Sequence, residues 1–259
     1  MNANRAGFCA IAVMAKAPRT GAAKTRLVPP LSATQAAALS ACFIRDATEN
    51  IAAAARHARI EGYVAYSPPD AEAEFASLSV DGTGLLPSRH PGLAACLYDA
   101  ANDLLHAGYG AVCLINSDSP TLPTALLIDA ARRLAAPGGR IVLGPAEDGG
   151  YYLIGLKHAH RRLFEDIAWS TPAVFAQTME RAREIGVETA VLPIWYDVDD
   201  VASLHRLHTE LLAGNEKALA GGIYRALYTA AFLRDLFRDD AGLEAMRGQR
   251  GDPAIRADP

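Results

Sequence analysis

The chain has little that would tie it to a membrane, a nucleic acid or an oxidising compartment. Nowhere in its 259 residues is there an apolar run approaching the roughly 20 residues a membrane-spanning helix needs. The apolar stretch after Gly7 is broken at Lys16 and is too short for the core of a secretion signal. No block of like charge is long enough for a nucleic-acid surface or an acidic tail, and 25 basic against 29 acidic residues leave a net charge of only −4. Four cysteines, Cys9, Cys42, Cys96 and Cys113, lack any Cys-x-x-Cys spacing. Two of them sit in strand-like apolar runs, so buried reduced thiols are expected rather than disulfides or zinc ligands. A cytoplasmic protein with neither a nucleic-acid nor a membrane partner is the expectation. Two familiar phosphate loops are also missing: no G-x-x-x-x-G-K-[ST] occurs, and Gly82-Thr83-Gly84 lacks the third glycine of a dinucleotide fingerprint. No internal repeat is present.

With about half of its residues apolar (51%), the chain is able to bury one sizeable core. A single domain is expected over residues 1–213, followed by a helical extension and loosely held tail over 214–259. Strand-like and helix-like segments alternate, the pattern of a mainly parallel, mixed sheet covered by helices, an α/β fold. Strands are predicted at Phe8 to Ala15, Tyr63 to Tyr66, Ala111 to Asn116, Arg140 to Gly144, Tyr151 to Leu156 and Val187 to Trp195. The first predicted helix opens on Ser32 with Gln35 three residues on, a capping box, and carries Leu39, Cys42, Phe43, Ala47 and Ile51 at helical spacing. Further helices are expected over 91–106, from Pro123 to Leu134, from Ser170-Thr171-Pro172 toward Ile185, over Val201 to Leu212, and over Tyr224 to Phe237.

Four segments carry the chemistry. After the first strand comes Lys16-Ala17-Pro18-Arg19-Thr20-Gly21-Ala22-Ala23-Lys24-Thr25-Arg26, four cations in eleven residues at a strand-to-helix connection. Phosphates need such charge and free backbone N–H groups, so Lys16, Arg19, Lys24 and Arg26 are predicted phosphate ligands; a solvated basic loop is the plainer reading. Asn116-Ser117-Asp118-Ser119-Pro120 follows a buried strand, where open α/β sheets place their ligands, making Asp118 the first metal candidate. Asp197-Val198-Asp199 adds carboxylates that point to one side of an extended chain, with Asp199 or Asp200 expected to cap the next helix. Such oxygen ligands suit Mg²⁺ or Mn²⁺ shared with substrate phosphates. Lastly, Glu147-Asp148-Gly149-Gly150-Tyr151-Tyr152 reads either as a hairpin turn or as a rim where glycine lets a sugar or phosphate approach the backbone; the choice of Glu147 or Asp148 as base stays open there. His158, His160, His205 and His208 are expected at the surface, and Trp169 and Trp195 in the core or as pocket walls.

Taken in order, Lys16-Ala-Pro-x-x-Gly-x-x-Lys24-Thr-Arg26-Leu, Ser117-Asp118-Ser119-Pro120-Thr-Leu-Pro, Gly144-Pro145-Ala-x-Asp148-Gly149-Gly150-Tyr151-Tyr-Leu-Ile-Gly, Trp169-Ser-Thr and Asp197-Val-Asp199 resemble the DUF2064 family of glycosyltransferase-like proteins. That family lies within the GT-A-like nucleotide-diphospho-sugar transferase superfamily and includes arsenosugar-biosynthesis glycosyltransferases. The resemblance spans about residues 8–213 and implies a GT-A-like αβα sandwich that binds a nucleotide through a divalent metal, with Asp118 as the metal-binding acid. The same signatures are similar to those of 2-phospholactate guanylyltransferase. One departure is Pro87-Ser88-Arg89-His90-Pro91-Gly92-Leu93-Ala94, where many relatives carry Gln followed by Gly-Asp-Leu-Gly.

These readings give an expected metal-dependent transferase with an activated nucleotide donor and a small-molecule acceptor. The leading version moves a sugar from a nucleotide-sugar. The alternatives are nucleotidyl transfer from a nucleoside triphosphate to a phosphorylated molecule, with pyrophosphate release, and non-catalytic nucleotide binding. Expected site residues are Asp118, Asp148 and Lys24 for catalysis; Lys16, Arg19, Lys24, Arg26, Ser117, Gly149 and Gly150 for the nucleotide and its phosphates; and Asp118, Asp197 and Asp199 for the metal.

Overall fold

The computed structural model describes residues 5–212 and 222–238. Its centre is a seven-stranded sheet of β1 (Cys9–Lys16), β2 (Ile60–Ser67), β3 (Gly84–Pro87), β4 (Ala111–Asn116), β5 (Arg140–Pro145), β6 (Tyr151–Leu156) and β7 (Glu188–Val191), in the order β3-β2-β1-β4-β6-β5-β7. Only β6 runs against its neighbours; it pairs antiparallel with β4 and β5, and every other pair is parallel. The mixed, mainly parallel sheet expected from the alternating segments is therefore what forms.

The middle strands read as continuous apolar runs because both faces are covered, as parallel sheets require. Ile11 and Val13 of β1 and Cys113 and Ile115 of β4 enter one core layer. Ala10, Ala12, Val112 and Leu114 enter the other. Helices α1 (Ala33–Ala55) and α4 (Thr124–Ala135) cover the first layer, with α2 (Glu72–Leu78) beside β3. Helices α3 (Leu93–His106) and α5 (Val174–Glu184) cover the second. Two 3₁₀ turns, Thr25–Leu27 and Arg161–Phe164, complete the layers.

Ser32 and Gln35 cap α1 reciprocally: the Gln35 N–H donates to Ser32 Oγ at 3.2 Å and the Ser32 N–H to Gln35 Oε1 at 2.8 Å. The predicted elements are recovered with shifts that have local causes. Pro123 precedes α4 rather than sitting in its first turn, with ψ of 128°. Strand β7 ends at Val191 instead of Trp195, because Pro193 has no N–H to continue a ladder. The chain still follows β5, with the Leu192 N–H donating to Leu143 O at 2.8 Å and the Trp195 N–H to Pro145 O at 3.1 Å. Helix α2 and strand β3 were not expected; both are short, and β3 has only four residues with a terminal proline.

Beyond α6 (Val201–Leu212), helix α7 (Leu227–Leu236) packs on α1 and α6. It lacks a side-chain cap of its own. Asp46 of α1, fully buried, supplies one from a distance, its two oxygens accepting the N–H groups of Tyr228 at 3.1 Å and Thr229 at 2.8 Å; these are among the donors every helix start leaves unpaired. The expected tail lies, from residue 239, outside the described residues. Among the described residues no helix is long and apolar enough to cross a membrane.

Candidate functional site

Strand order determines where the chemistry gathers. From β1 the chain winds outward through β2 and β3, then returns to place β4 on the other side of β1. The carboxyl ends of β1 and β4 thus flank the point where the winding reverses, which in open α/β sheets opens a crevice for ligands. The basic loop follows β1 and Asn116-Ser117-Asp118 follows β4.

The third segment is delivered by β7's continuation along β5. The Glu147 N–H donates to Trp195 O at 2.9 Å, and the Val198 N–H donates to Asp118 O at 2.8 Å. That last bond pins the Asp197–Asp199 segment against the Asp118 loop. Tyr196, buried, reaches across with its hydroxyl to Glu210 at 2.5 Å, and Thr121 Oγ1 donates to that hydroxyl at 3.2 Å. Arg206 stacks 3.7 Å above the Tyr196 ring and pairs with Glu147 at 2.9 Å. Carboxylates and ring together clamp α6 to both loops.

Lys24 lies at the centre. Its backbone is left-handed, with φ of 48°, and only 7% of its side chain is exposed. The ammonium stands 2.8 Å from Asp118 Oδ1 and 3.0 Å from Asp199 Oδ1 and donates to Val198 O at 2.7 Å. Burial pulls its pKa down, yet the charges of Asp118 and Asp199 outweigh that and hold it above the ordinary lysine value. Ser117 Oγ donates to the same Asp118 oxygen at 3.1 Å. Asp197 is half-buried; burial, then the nearby charges of Asp148 and Asp199, push its pKa up to about 6. Four carboxylates therefore crowd one end of the sheet with a single buried ammonium among them.

Of the other predicted residues, Arg26 lies at the margin, 4.0 Å from Asp199 Oδ2 and exposed. Lys16 is exposed at the end of β1. Arg19 is not brought to the cluster: its guanidinium pairs with Glu74 of α2 at 2.6 Å and with Asp70 at 3.7 Å. Asp200, not Asp199, caps α6, with Oδ1 accepting the Ser203 N–H at 2.8 Å, which leaves Asp199 to Lys24. The Asp148-Gly149-Gly150 segment is indeed the turn of a β5–β6 hairpin, and it also borders the acidic cluster. Asp148 Oδ1 accepts the Gly150 N–H at 2.8 Å. Gly149 has φ of +90°, and a Cβ there would lie 2.3 Å from Pro172 O, so only glycine lets the Trp169-Ser170-Thr171 segment close on this turn. Glu147 is held in an ion pair by Arg206, whereas Asp148 makes no ion pair among the described residues. The supporting Tyr196, Glu210 and Arg206 were missed in the sequence, although Tyr196 adjoins the Asp197 motif.

Oxygen-only donors and an excess of negative charge fit a hard divalent cation. Lys24 shows directly that a cation is accommodated between Asp118 and Asp199. Among the described residues no three acidic, histidine or cysteine side chains form a ready-made cage. For Mg²⁺ or Mn²⁺ none is needed, since such ions take one or two carboxylates and complete their shell with waters and substrate phosphates.

Residues 50–171 match the model of the family described as "Uncharacterized protein conserved in bacteria (DUF2064)". This is the family the ordered motifs resemble. Among solved structures, the fold matches a candidate nucleotide-diphospho-sugar transferase from Desulfovibrio desulfuricans G20, with a TM-score of 0.76 and 27% identity over 93% of this chain and 97% of that one. It also matches CMP:2-keto-3-deoxy-manno-octonic acid synthetase complexed with CTP, with a TM-score of 0.50 and 13% identity over 77% of this chain and 96% of that one; that likeness speaks to the fold alone. No curated protein matches the chain. The architecture is the GT-A-like αβα sandwich of nucleotide-diphospho-sugar transferases.

Proposed function

We propose that the protein is a GT-A-type transferase that moves a sugar from a nucleotide-sugar to a small-molecule acceptor, with its site at the carboxyl ends of β1 and β4. The observation that carries this reading is the convergence of Lys24 with Asp118, Asp197 and Asp199 at the reversal of strand order. The 27% identity with the Desulfovibrio protein, over nearly the whole of both chains, supports a nucleotide-sugar donor.

Asp118, together with Asp197 or Asp199, would hold Mg²⁺ or Mn²⁺. Bound there, the metal would supply Lewis-acid neutralisation of the donor diphosphate as it leaves. Lys24, whose three N–H donors go to Asp118, Asp199 and the Val198 carbonyl, would exchange one of these carboxylates for a phosphate oxygen and neutralise charge as it develops on the leaving group. Arg26 contributes at the solvent margin, and Ser117 orients the Asp118 carboxylate. Asp148, whose Oδ1 is fixed by the Gly150 N–H, accepts the acceptor's hydroxyl proton at Oδ2. The Gly149-Gly150 turn lets the sugar approach the backbone, with Tyr151 and Trp169 packed edge to face behind it.

Nucleotidyl transfer would call on a dense set of cations for three phosphates. Arg19 is committed to Glu74 instead, so the loop presents fewer cations than its sequence offers. Calorimetric titration with a panel of nucleotide-sugars and nucleoside triphosphates, each with and without Mn²⁺, tests the choice. Metal-dependent preference for a diphospho-sugar is expected; preference for one triphosphate would move the reading to nucleotidyl transfer.

A further inference from the structure

At the opposite end of the sheet is a cavity of about 300 Å³, at the lower end of the size range of small-molecule sites. It opens where β1 and β4 begin and β6 ends. The six residues of β4, at roughly 3.3 Å each, hold it about 20 Å from the acidic cluster.

Its floor is apolar, with Cys9, Ala111 and Leu134 buried beneath it. Its rim carries His57, Arg59, Arg132 and Lys157, and no carboxylate among the described residues lines it. Gly110 closes one wall: a Cβ there would lie 2.0 Å from Ala6 O, so the two backbones touch as only glycine allows.

Cations near helix C-termini are ordinary, because the last carbonyls carry partial negative charge. Lys157 does serve that purpose, donating to Ala136 O and Gly138 O at 2.9 Å each. An ammonium has three N–H donors, so one remains. Position alone accounts in the same way for Arg132, in the last turn of α4, and for Arg59, just past the end of α1; what sets them apart is their pairing. Arg133 pairs with Asp129 at 2.9 Å, whereas its neighbour Arg132 has no carboxylate partner among the described residues. Arg59 lies 6.0 Å over the Phe8 ring, again with no acid. A chain with a net charge of −4 has thus collected an unneutralised cationic rim around a concave apolar floor.

We propose that this cavity is a second ligand site, which binds a small organic phosphate with the phosphate held at the rim by Arg59, Arg132 and Lys157 and the organic body on the floor. Planar guanidinium forks match phosphate oxygens in pairs, and such charged hydrogen bonds are about twice as strong as neutral ones. The site is separate from the donor site and needs no metal.

The test is calorimetric titration of the full chain with glucose 6-phosphate, glycerol 3-phosphate and inorganic phosphate in EDTA, with the bound position mapped by amide chemical shifts. Saturable binding is expected with shifts at Gly7, Gly110 and Ala111. Loss of one charged fork should weaken it about tenfold in Arg132→Gln, and further in Arg59→Gln/Arg132→Gln. Arg161→Gln, which removes an arginine stacked on Tyr98 elsewhere, should leave it unchanged. The organic phosphates should bind more tightly than inorganic phosphate; equal affinities would overturn the floor's part in the proposal and leave the rim as a site for free phosphate. Absence of saturation, shifts confined to Ser117 and Gly149, or wild-type affinity in the folded Arg132→Gln variant would each overturn the proposal.

Discussion

The two ends of the sheet bury charge in opposite ways. At the carboxyl ends of the strands, Asp118 and Asp199 hold one almost wholly enclosed ammonium, with Asp197 and Asp148 beside them; at the amino ends, cations rim a cavity that no acid among the described residues lines. The same parallel strands serve both. The difference arises in the connections: the loops after β1 and β4 and the hairpin turn after β5 admit Lys24, Asp118 and Asp148 at the carboxyl end, while the amino end is built from helix termini whose carbonyls attract basic residues. Where several carboxylates are enclosed, mutual repulsion costs stability unless a cation is present. That cost is retained at one end only, as a functional site would retain it.

The largest expected effect breaks the acidic end. Asp118→Asn keeps the volume but removes a charge at the point where Lys24 and the proposed metal meet; turnover of the donor should fall at least about a hundredfold, the scale of losing one preorganised electrostatic contact. Circular dichroism should remain that of the wild type, and undiminished turnover would remove Asp118 from the mechanism. Gly149→Ala comes next. Its positive φ and its contact with Pro172 O should cost roughly 1–3 kcal/mol in urea denaturation and open the turn beside Asp148; an unchanged midpoint would mean that the turn relaxes freely.

Lys24→Ala should weaken donor binding about tenfold, the worth of one charge-assisted contact. An unaltered donor Kd by calorimetry would make Lys24 a structural counter-ion to Asp118 and Asp199 only. The smallest effect concerns a buried acid away from both ends. Burial raises the pKa of Asp46, opposed by its hydrogen bonds from Thr229 and Tyr228. A raised carboxylate pKa favours the native state while the group is protonated, and that contribution is lost as pH rises from about 4 through the higher native value. Wild type should therefore lose ground to Asp46→Asn between pH 4 and pH 7 in paired thermal melts. A trend of the opposite sign would show that the hydrogen bonds, not burial, control Asp46.

Much of this contrast was legible in the residues, for reasons that differ by element. Continuous apolar runs marked β1 and β4 because both faces are buried, and the Ser32–Gln35 box marked the start of α1. Asp118 and the Asp197–Asp199 pair were readable as strand-end carboxylates because that location is a property of open α/β sheets. Arg19 was not separable from Lys24 by composition: its diversion to Glu74 depends on α2, a seven-residue helix with too few turns to show a period. The clamp of Tyr196, Glu210 and Arg206 joins residues from two segments through side chains alone. The amino-end cavity was invisible for the same reason, since His57, Arg59, Arg132 and Lys157 are spread over a hundred residues and meet only through the sheet.

The most direct test of the central claim is a crystal structure with Mn²⁺ and the nucleotide-sugar selected by calorimetry, recorded at the manganese absorption edge. The account predicts one anomalous peak bonded to the Asp118 carboxylate and to the donor diphosphate, with Lys24 on a phosphate oxygen. Donor bound at the carboxyl end with no such peak beside Asp118, or bound elsewhere on the molecule, would contradict it.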